Sequence, residues 1–142
     1  MNYIIGEFTY NLDQKGRLVI PTKFREFLGE LFVITKGLDG CLFVFPEREW
    51  QNFEAKWAAL PLMDKTARSF ARFFFASAAE CSLDKQGRVM IPPSLRHFAG
   101  LEKTVVITGM SGRLEIWDES AWRENTDIDP EVFGSHMAEL GI

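Results

Sequence analysis

Residues 12–25 read LDQKGRLVIPTKFR and residues 83–96 read LDKQGRVMIPPSLR, so one motif occurs twice in this chain. The copies align at a constant offset of 71 positions, since residue 12 matches residue 83. Identical pairs include Leu12/Leu83, Asp13/Asp84, Gly16/Gly87, Arg17/Arg88, Ile20/Ile91, Pro21/Pro92, Arg25/Arg96 and Gly29/Gly100. A weaker likeness follows between 33–50 and 106–122. A duplicated unit of about 45 residues buries too little surface to be stable alone, so the copies are predicted to pack on each other.

The size and composition of the chain indicate a folded domain. It has 142 residues, 46% of them hydrophobic, with thirteen Phe and four Trp, which suits one compact domain or two packed halves. No apolar run approaches the roughly 20 residues that cross a bilayer, and the first residues lack the pattern of a signal peptide. We therefore expect a soluble, cytoplasmic protein with no membrane partner. Cys41 and Cys81 are interpreted as buried thiols, and a disulfide or metal pair is the less favoured alternative.

The charge of the chain is unevenly distributed. The net charge is −4, but from Glu115 onward there are eight acidic residues against Arg123 alone, which leaves residues 1–114 with a net charge of +3. Residues 11–25 hold four bases and one acid, and residues 82–96 hold three bases and one acid. The repeated motifs are therefore basic spots on an acidic chain. For nucleic-acid binding, the local potential matters more than the net charge.

Each copy is predicted to fold as strand, turn, strand, helix, strand, strand and helix. The turn holds Gly16 or Gly87, because glycine accepts a positive φ without steric cost. Pro21 and Pro92 end the second strand and suit the start of a helix. The predicted strands are 7–12, 17–20, 31–35 and 41–45 in the first copy and 78–83, 88–91, 104–108 and 113–117 in the second. The predicted short helices are 22–28 and 94–99.

Between and after the copies, the sequence predicts two further segments. Arg68 and Arg72 lie one turn apart beside an apolar stripe of Phe70, Phe73 and Phe74 on a predicted connector helix. We assign these residues to packing or assembly rather than to stacking on single-stranded nucleic acid. The tail has weak periodicity and is predicted to be partly mobile. The predicted organisation is repeat 1 at 5–50, helical connector at 51–77, repeat 2 at 78–122 and acidic tail at 123–142.

Two Asp–Arg pairs are the main candidates for function. Asp13 precedes Arg17, and Asp84 precedes Arg88, by four residues across a tight turn, so each carboxylate can orient a guanidinium. An oriented Arg can hold a phosphate, or O6 and N7 of guanine, through two hydrogen bonds. The alternative is that each Asp caps its turn and each Arg pairs with it on a solvated edge. The occurrence of both residues in both copies favours a shared function.

Other basic residues near the motifs are candidates for phosphate contacts. Lys15 and Lys85 lie on the turns and add point charges. Arg25 and Arg96 occur in both copies and are expected to flank the same surface, although a role on the helix surface is an equal alternative. Lys23 occurs only in the first copy. Because the first copy is more basic, Arg17 and Lys15 are predicted to contribute slightly more than their counterparts.

The DxxGR turn, the strand that ends in Ile-Pro, the following Arg and the tandem duplication resemble the MraZ family over nearly all of residues 5–122. These are bacterial transcriptional regulators built from two SpoVT-AbrB-type units. The resemblance implies a mainly β fold with short helices, in which the two repeats form a pseudo-symmetric swapped-hairpin β-barrel like that of AbrB. It also implies a ring-shaped homo-oligomer, binding to repeated promoter sites in double-stranded DNA, control of the division and cell-wall gene cluster, and association with the nucleoid.

The inventory of reactive residues argues against catalysis. His97 and His136 are the only histidines, neither has a partner at metal-ligand spacing, and phosphate-binding and nucleophile motifs are missing. Asp13 and Asp84 form a conceivable acid–base pair, but the neighbouring Arg residues keep both ionised. We therefore predict no enzyme activity, cofactor, metal or small-molecule substrate.

The predicted function is sequence-specific DNA binding by a transcriptional regulator. The alternative is a non-catalytic, oligomeric interaction or assembly module. The acidic tail is a candidate competitor of DNA for the basic turns.

Overall fold

The computed structural model describes residues 3–142, which form eight strands and six helices. The strands are β1 Ile5–Asn11, β2 Arg17–Val19, β3 Phe32–Lys36, β4 Leu42–Pro46, β5 Ala79–Cys81, β6 Arg88–Met90, β7 Thr104–Met110 and β8 Leu114–Asp118. The helices are α1 Thr22–Leu28, α2 Glu47–Ala58, α3 Lys65–Phe75, α4 Pro93–Phe98, α5 Glu119–Thr126 and α6 Pro130–Glu139. No helix within this described span is long and apolar enough to cross a membrane.

The strands of the two copies are exchanged. One antiparallel sheet has the order β1-β7-β8-β4-β3-β5, and β2 pairs with β6 in a separate two-stranded ribbon. Strand β1 of the first copy pairs with β7 of the second, and β5 of the second pairs with β3 of the first. The expected fold class, mainly sheet with short helices and two tandem repeats, is confirmed. The pairing defines an open six-stranded sheet within residues 3–142, because its edge strands β1 and β5 are not bonded to each other.

The connector and the tail differ from the sequence-based expectation. Two helices, α2 and α3, replace a single connector helix and are separated by residues 59–64. Pro61 interrupts the chain, and Asp64 then caps α3 by accepting a hydrogen bond from the N–H of Ala67 at 3.1 Å. The tail contains α6, where Asp129 accepts from the N–H of Glu131 at 2.9 Å and Pro130 occupies the first turn. These capping residues account for a helix that the weak apolar periodicity did not indicate.

The ribbon closes the main hydrophobic core. Leu18 of β2 and Val89 of β6 are fully buried and pack with the inner face of the sheet and with α1 and α4. On the opposite face of the sheet, α2 and α3 contribute an aromatic cluster in which Phe53 contacts Phe45 and Phe74. The helices of the connector therefore lie on the face of the sheet away from the ribbon. This arrangement leaves the outer face of the ribbon uncovered by the connector.

The two copies differ in one buried hydroxyl. Thr35 donates a hydrogen bond to the carbonyl of Phe74 at 2.5 Å, where α3 ends, and lies 3.1 Å from the hydroxyl of Ser77. Thr108 occupies the matching position in the second copy, since residues 33–35 and 106–108 both read Val-Ile-Thr. Its buried hydroxyl has no hydrogen-bond partner in residues 3–142.

We predict that Thr35→Val lowers the free energy of unfolding by about 1–2 kcal/mol, because a buried acceptor loses its donor. Thr108→Val should leave it unchanged or raise it, because a buried unpaired hydroxyl is removed. Urea denaturation measures both values, and equal losses would contradict the assignment.

Candidate nucleic-acid interface

The ribbon places the two motif arginines on one surface. Its register aligns Arg17 with Met90, Leu18 with Val89, and Val19 with Arg88. Side chains alternate along a strand, and Leu18 and Val89 point into the core. Arg17 and Arg88 therefore share the outer face, as diagonal neighbours about 7–8 Å apart at the backbone. We call this outer face, with Arg17, Val19, Arg88 and Met90, the ribbon face.

Each arginine is held by the aspartate of its own turn. Asp13 Oδ1 accepts from the backbone N–H of Lys15 at 2.9 Å and of Arg17 at 2.8 Å, while Oδ2 accepts from Arg17 Nε at 2.5 Å. Asp84 does the same for the N–H groups of Gln86 and Arg88, and its Oδ2 accepts from Arg88 Nε at 2.8 Å. The same construction in both copies agrees with the spacing argument from the sequence.

This arrangement orients the guanidinium groups without using their ends. The side chains of Arg17 and Arg88 are 29% and 26% exposed. Within residues 3–142, no hydrogen bond engages Nη1 or Nη2 of either residue. Since Nε is fixed and both Nη groups keep their donors, each arginine can offer a fork to an external acceptor.

The electrostatics of the turns keep the aspartates charged. The backbone N–H of Arg17, together with its guanidinium, holds the pKa of Asp13 below the ordinary value of 3.8. The equivalent groups of Arg88 lower the pKa of Asp84 in the same way. Both carboxylates are therefore ionised at neutral pH, which suits orientation of a cation and opposes a general-acid role.

Arg25 and Arg96 each lie against the turn of the other copy. Arg25 Nε donates to the carbonyl of Ile20, and Arg96 Nε donates to that of Ile91, both at 2.9 Å. A β-carbon at Gly87 would lie 2.2 Å from Arg25 Cζ, and one at Gly16 would lie 2.5 Å from Arg96 Cζ. The glycines have φ of +75° and +80° and are buried beneath these guanidinium groups. The turn glycines thus provide both a backbone conformation and space for an arginine.

The three lysines singled out from the sequence lie in different places. Lys15 and Lys85 are exposed on the turns. Lys23 Nζ donates to the carbonyl of Ile5 at 3.0 Å, at the start of β1, whereas the turn follows the other end of that strand. The structure therefore brings Lys15 and Lys85 to the site but does not bring Lys23 there.

Two features of the site were missed by the sequence reasoning. Met90, which is 50% exposed, and Val19 lie on the ribbon face beside the arginines. Their alternation with the buried Leu18 and Val89 was the signal that could have identified them. The contact of each Arg with the opposite turn had no sequence signal, since it depends on how the copies interlock.

The protonation state of the two thiols follows from their burial. Cys41 and Cys81 are unbridged. Burial raises the pKa of the Cys41 thiol to about 12 and that of Cys81 to about 11, so both stay protonated. No group of three or more His, Cys, Asp or Glu side chains in residues 3–142 is placed to hold a metal ion.

Comparison with known proteins identifies the family. A family model described as "MraZ protein, putative antitoxin-like" matches the chain twice, over residues 3–73 and 74–132. This chain belongs to the MraZ family. A relative from Thermoanaerobacter sp. (strain X514), named Transcriptional regulator MraZ, is 51% identical over 98% of this chain and 99% of its own length. Relatives of the same name from Acetivibrio thermocellus and Caldicellulosiruptor bescii are 53% and 50% identical, over 96% and 98% of this chain and 98% and 99% of their own lengths. The resemblance to MraZ noted from the doubled motif is confirmed.

The aspartates of this MraZ-family chain permit a test of arginine orientation. In the double variant Asp13→Asn, Asp84→Asn, the amide oxygen can still accept from the backbone of the turn, but the amide nitrogen cannot accept from Nε. We expect discrimination between the native upstream DNA and a scrambled duplex to fall several-fold, because the charge-assisted hydrogen bond that fixes each guanidinium through Nε is lost. Affinity for the scrambled duplex should not fall, since two negative charges are removed.

The pH dependence of the aspartate pairs provides a second measurement. A depressed folded-state pKa means that the stabilisation is present above the ordinary pKa and is lost as pH falls through the lower folded value. Titration of Asp13 and Asp84 should therefore not change the ratio of affinities for native and scrambled DNA between pH 6 and 8.

In the substitution test, an unchanged ratio in the double Asn variant would contradict the orienting role of the aspartates.

Proposed function

We propose that this chain is a sequence-specific, DNA-binding transcriptional regulator that inserts the ribbon face into the major groove. The observation that carries the proposal is the pair of guanidinium groups on one face of a two-stranded ribbon, each fixed through Nε and free at both Nη atoms within the described residues. The major groove, about 12 Å wide, admits such a ribbon. The name shared by the relatives, Transcriptional regulator MraZ, supports the same function.

The side chains of the ribbon face suit different parts of a duplex. Arg17 and Arg88 present planar forks that match O6 and N7 of guanine or two phosphate oxygens. Met90 is apolar and exposed, as a contact with a thymine methyl group requires. Lys15 and Lys85, on the turns at the two ends of the ribbon, supply phosphate contacts that position the protein without reading sequence. The acceptor-only aspartates are already occupied by the arginines and backbone.

One ribbon offers few contacts, so useful affinity requires several protomers. We propose that a homo-oligomeric ring presents successive ribbons to repeated promoter sites about one helical turn, or 10 base pairs, apart. By resemblance to the family, the promoter is that of the division and cell-wall gene cluster, and the protein acts in the cytoplasm at the nucleoid. The ionised aspartates and the regulators among its relatives support a non-enzymatic role.

Footprinting on the DNA upstream of the protein's own gene tests this function directly. We expect protected segments that recur at the helical repeat, and a uniform pattern like that of unrelated DNA would reject sequence-specific recognition. Anisotropy titration with the same DNA then gives the affinity for the salt and substitution series.

The salt dependence tests the phosphate contacts. We predict that affinity falls steeply between 50 and 200 mM salt, because each phosphate neutralised by a cation releases counterions, about 0.9 per contact. Lys15→Ala with Lys85→Ala should lower the magnitude of the log–log slope by about 2 for each bound protomer. The matched control is Lys56→Ala with Lys65→Ala, which removes the same charge from the connector helices on the other side of the sheet. Equal changes in slope for both pairs would contradict the assigned phosphate contacts.

A second role, in protein assembly, is favoured by exposed apolar residues between α2 and α3. Leu62 is 80% exposed and Met63 is 88% exposed in the segment between the two helices, and Phe70 on α3 is 48% exposed. We propose that this surface contacts a neighbouring protomer of the ring, and the assembly module is the alternative function if DNA titration shows no binding. Leu62→Ser with Met63→Ser should shift sedimentation toward smaller species.

A further inference from the structure

The turns that carry the motif arginines are each built against the other copy. The backbone N–H of Ile20 donates to the carbonyl of Gly87 at 2.9 Å, and that of Ile91 donates to the carbonyl of Gly16 at 3.0 Å. The carbonyl of Ile20 in turn accepts from Arg25, and that of Ile91 accepts from Arg96. Each turn is therefore joined by backbone to the strand that leads into the opposite helix, and the arginine of that helix covers it.

The covering arginines lie against the glycines that directly precede the motif arginines. Arg96 Cζ would lie 2.5 Å from a β-carbon at Gly16, the residue directly before Arg17. Arg25 Cζ has the same relation, at 2.2 Å, to Gly87, the residue directly before Arg88. Within residues 3–142, the Nη groups of Arg25 and Arg96 also have no hydrogen-bond partner, because only Nε is engaged. Two guanidinium groups with unpaired Nη donors within these residues therefore lie at each turn, one from each copy.

From this geometry we infer that each DNA-contacting unit is composite: the turn of residues 13–17 acts with Arg96, and the turn of residues 84–88 acts with Arg25. This inference rests on the proposed function and adds to it the residues that act together. In each unit, the covering arginine binds a backbone phosphate next to the group held by the motif arginine. A planar fork whose Nε is already fixed loses little freedom when it takes a phosphate.

The composite units change the expected balance between the two copies. One unit contains Lys15, Arg17 and Arg96, and the other contains Lys85, Arg88 and Arg25. Both hold three bases and one aspartate, although the first copy is more basic along the sequence. Since Lys23 is engaged at the start of β1, the two units are equivalent in charge. We therefore expect equal contributions, in place of the predicted advantage of Arg17 and Lys15.

Double-mutant cycles of DNA affinity distinguish the composite unit from a unit within one copy. Arg17→Ala and Arg96→Ala should be coupled, so that their combined loss differs at least about threefold from the product of the single losses. Arg17→Ala and Arg25→Ala, the pair within one copy, should combine as a simple product. Coupling in the second pair and not the first would overturn the inference.

The slope of log affinity against log salt concentration distinguishes a phosphate contact of Arg96 from a purely structural role. Arg96→Ala should lower the magnitude of the slope by about 0.9 for each bound protomer, whereas a purely structural residue leaves it unchanged. Arg96→Lys should restore most of the slope, because the charge returns without the planar fork. An unchanged slope, or unchanged affinity, in Arg96→Ala would overturn the inference. The proposed function would still stand if Arg17→Ala with Arg88→Ala abolished binding, and would fail with it if that variant bound normally.

A measurement without DNA tests the same geometry. Gly16→Ala should lower the melting temperature, and adding Arg96→Ala should recover part of the loss, because the group that meets the new methyl is removed. Adding Arg25→Ala should recover none. Recovery by Arg25→Ala and not by Arg96→Ala would assign the covering residue to the wrong copy and overturn the composite unit.

Discussion

Replacement of both Arg17 and Arg88 by alanine should lower affinity for the native upstream DNA by at least about 100-fold. Each fork that reads a base edge is worth about 1–3 kcal/mol, and about 1.4 kcal/mol corresponds to tenfold in affinity. Several protomers that bind together multiply the loss. The melting temperature should change little, because the Asp–Arg pairs lie at the surface, where such pairs contribute little to stability. Anisotropy titration and calorimetry measure the two quantities.

The matched control for this double variant removes two arginines elsewhere. Arg48 on α2 and Arg123 on α5 are exposed. Arg123 pairs with Glu119 at 3.4 Å, and no other ion pair of either arginine is found within residues 3–142. Arg48→Ala with Arg123→Ala changes the net charge by the same amount and should alter affinity by less than about threefold. If both double variants lost affinity equally, general charge would explain binding and the ribbon face would not be the reading surface.

Substitution of Gly87 by alanine should damage both stability and DNA binding. Its φ of +75° is unfavourable for alanine, and the new methyl would displace Arg25 and break the bond from Arg25 Nε to the carbonyl of Ile20. The strain costs about 1–2 kcal/mol and the lost hydrogen bond about 1 kcal/mol, so we expect the free energy of unfolding to fall by about 2–3 kcal/mol. Urea denaturation and DNA titration give the two effects.

Gly40 provides the control for the conformational part of this loss. It has a φ of +87°, and a β-carbon there would meet nothing within 4 Å. Gly40→Ala should therefore cost only the strain, about 1–2 kcal/mol, and leave DNA affinity unchanged. If the two variants lost equal stability and both kept full affinity, Arg25 would have no role at the turn of the second copy.

Local chemistry explains why much of the motif could be predicted. Proline before the first helix and glycine after it predict a helix at 22–28, and α1 is observed at Thr22–Leu28. The Asp–Gly turn likewise follows from residues that lie within five positions of each other. The orientation of Arg17 by Asp13 needs only this local geometry. These are interactions that a short segment can specify alone.

The parts that could not be predicted depend on contacts between the copies. The pairing of β1 with β7 joins residues 93–105 positions apart, and that of β5 with β3 joins residues 45–49 positions apart. These segments carry no mutual signal in one sequence, so only the family resemblance implied the exchange. The position of Arg25 over Gly87 follows from that exchange, so the sequence alone favours neither a phosphate contact nor a role on the helix surface. Similarly, Lys23 was grouped with the turns by proximity in sequence, although its ammonium group bonds at the far end of β1.

The exchange of strands also determines how the protein unfolds. Each edge strand of the sheet pairs with a strand of the other copy, β1 with β7 and β5 with β3, and the ribbon takes one strand from each copy. Removal of either copy would therefore leave the edge strand and the ribbon strand of the other without partners. The halves therefore cannot unfold as separate units, and the chain should lose its structure in one cooperative transition. A cut in the linker of residues 59–64 would divide the polypeptide but leave the interlocked halves associated.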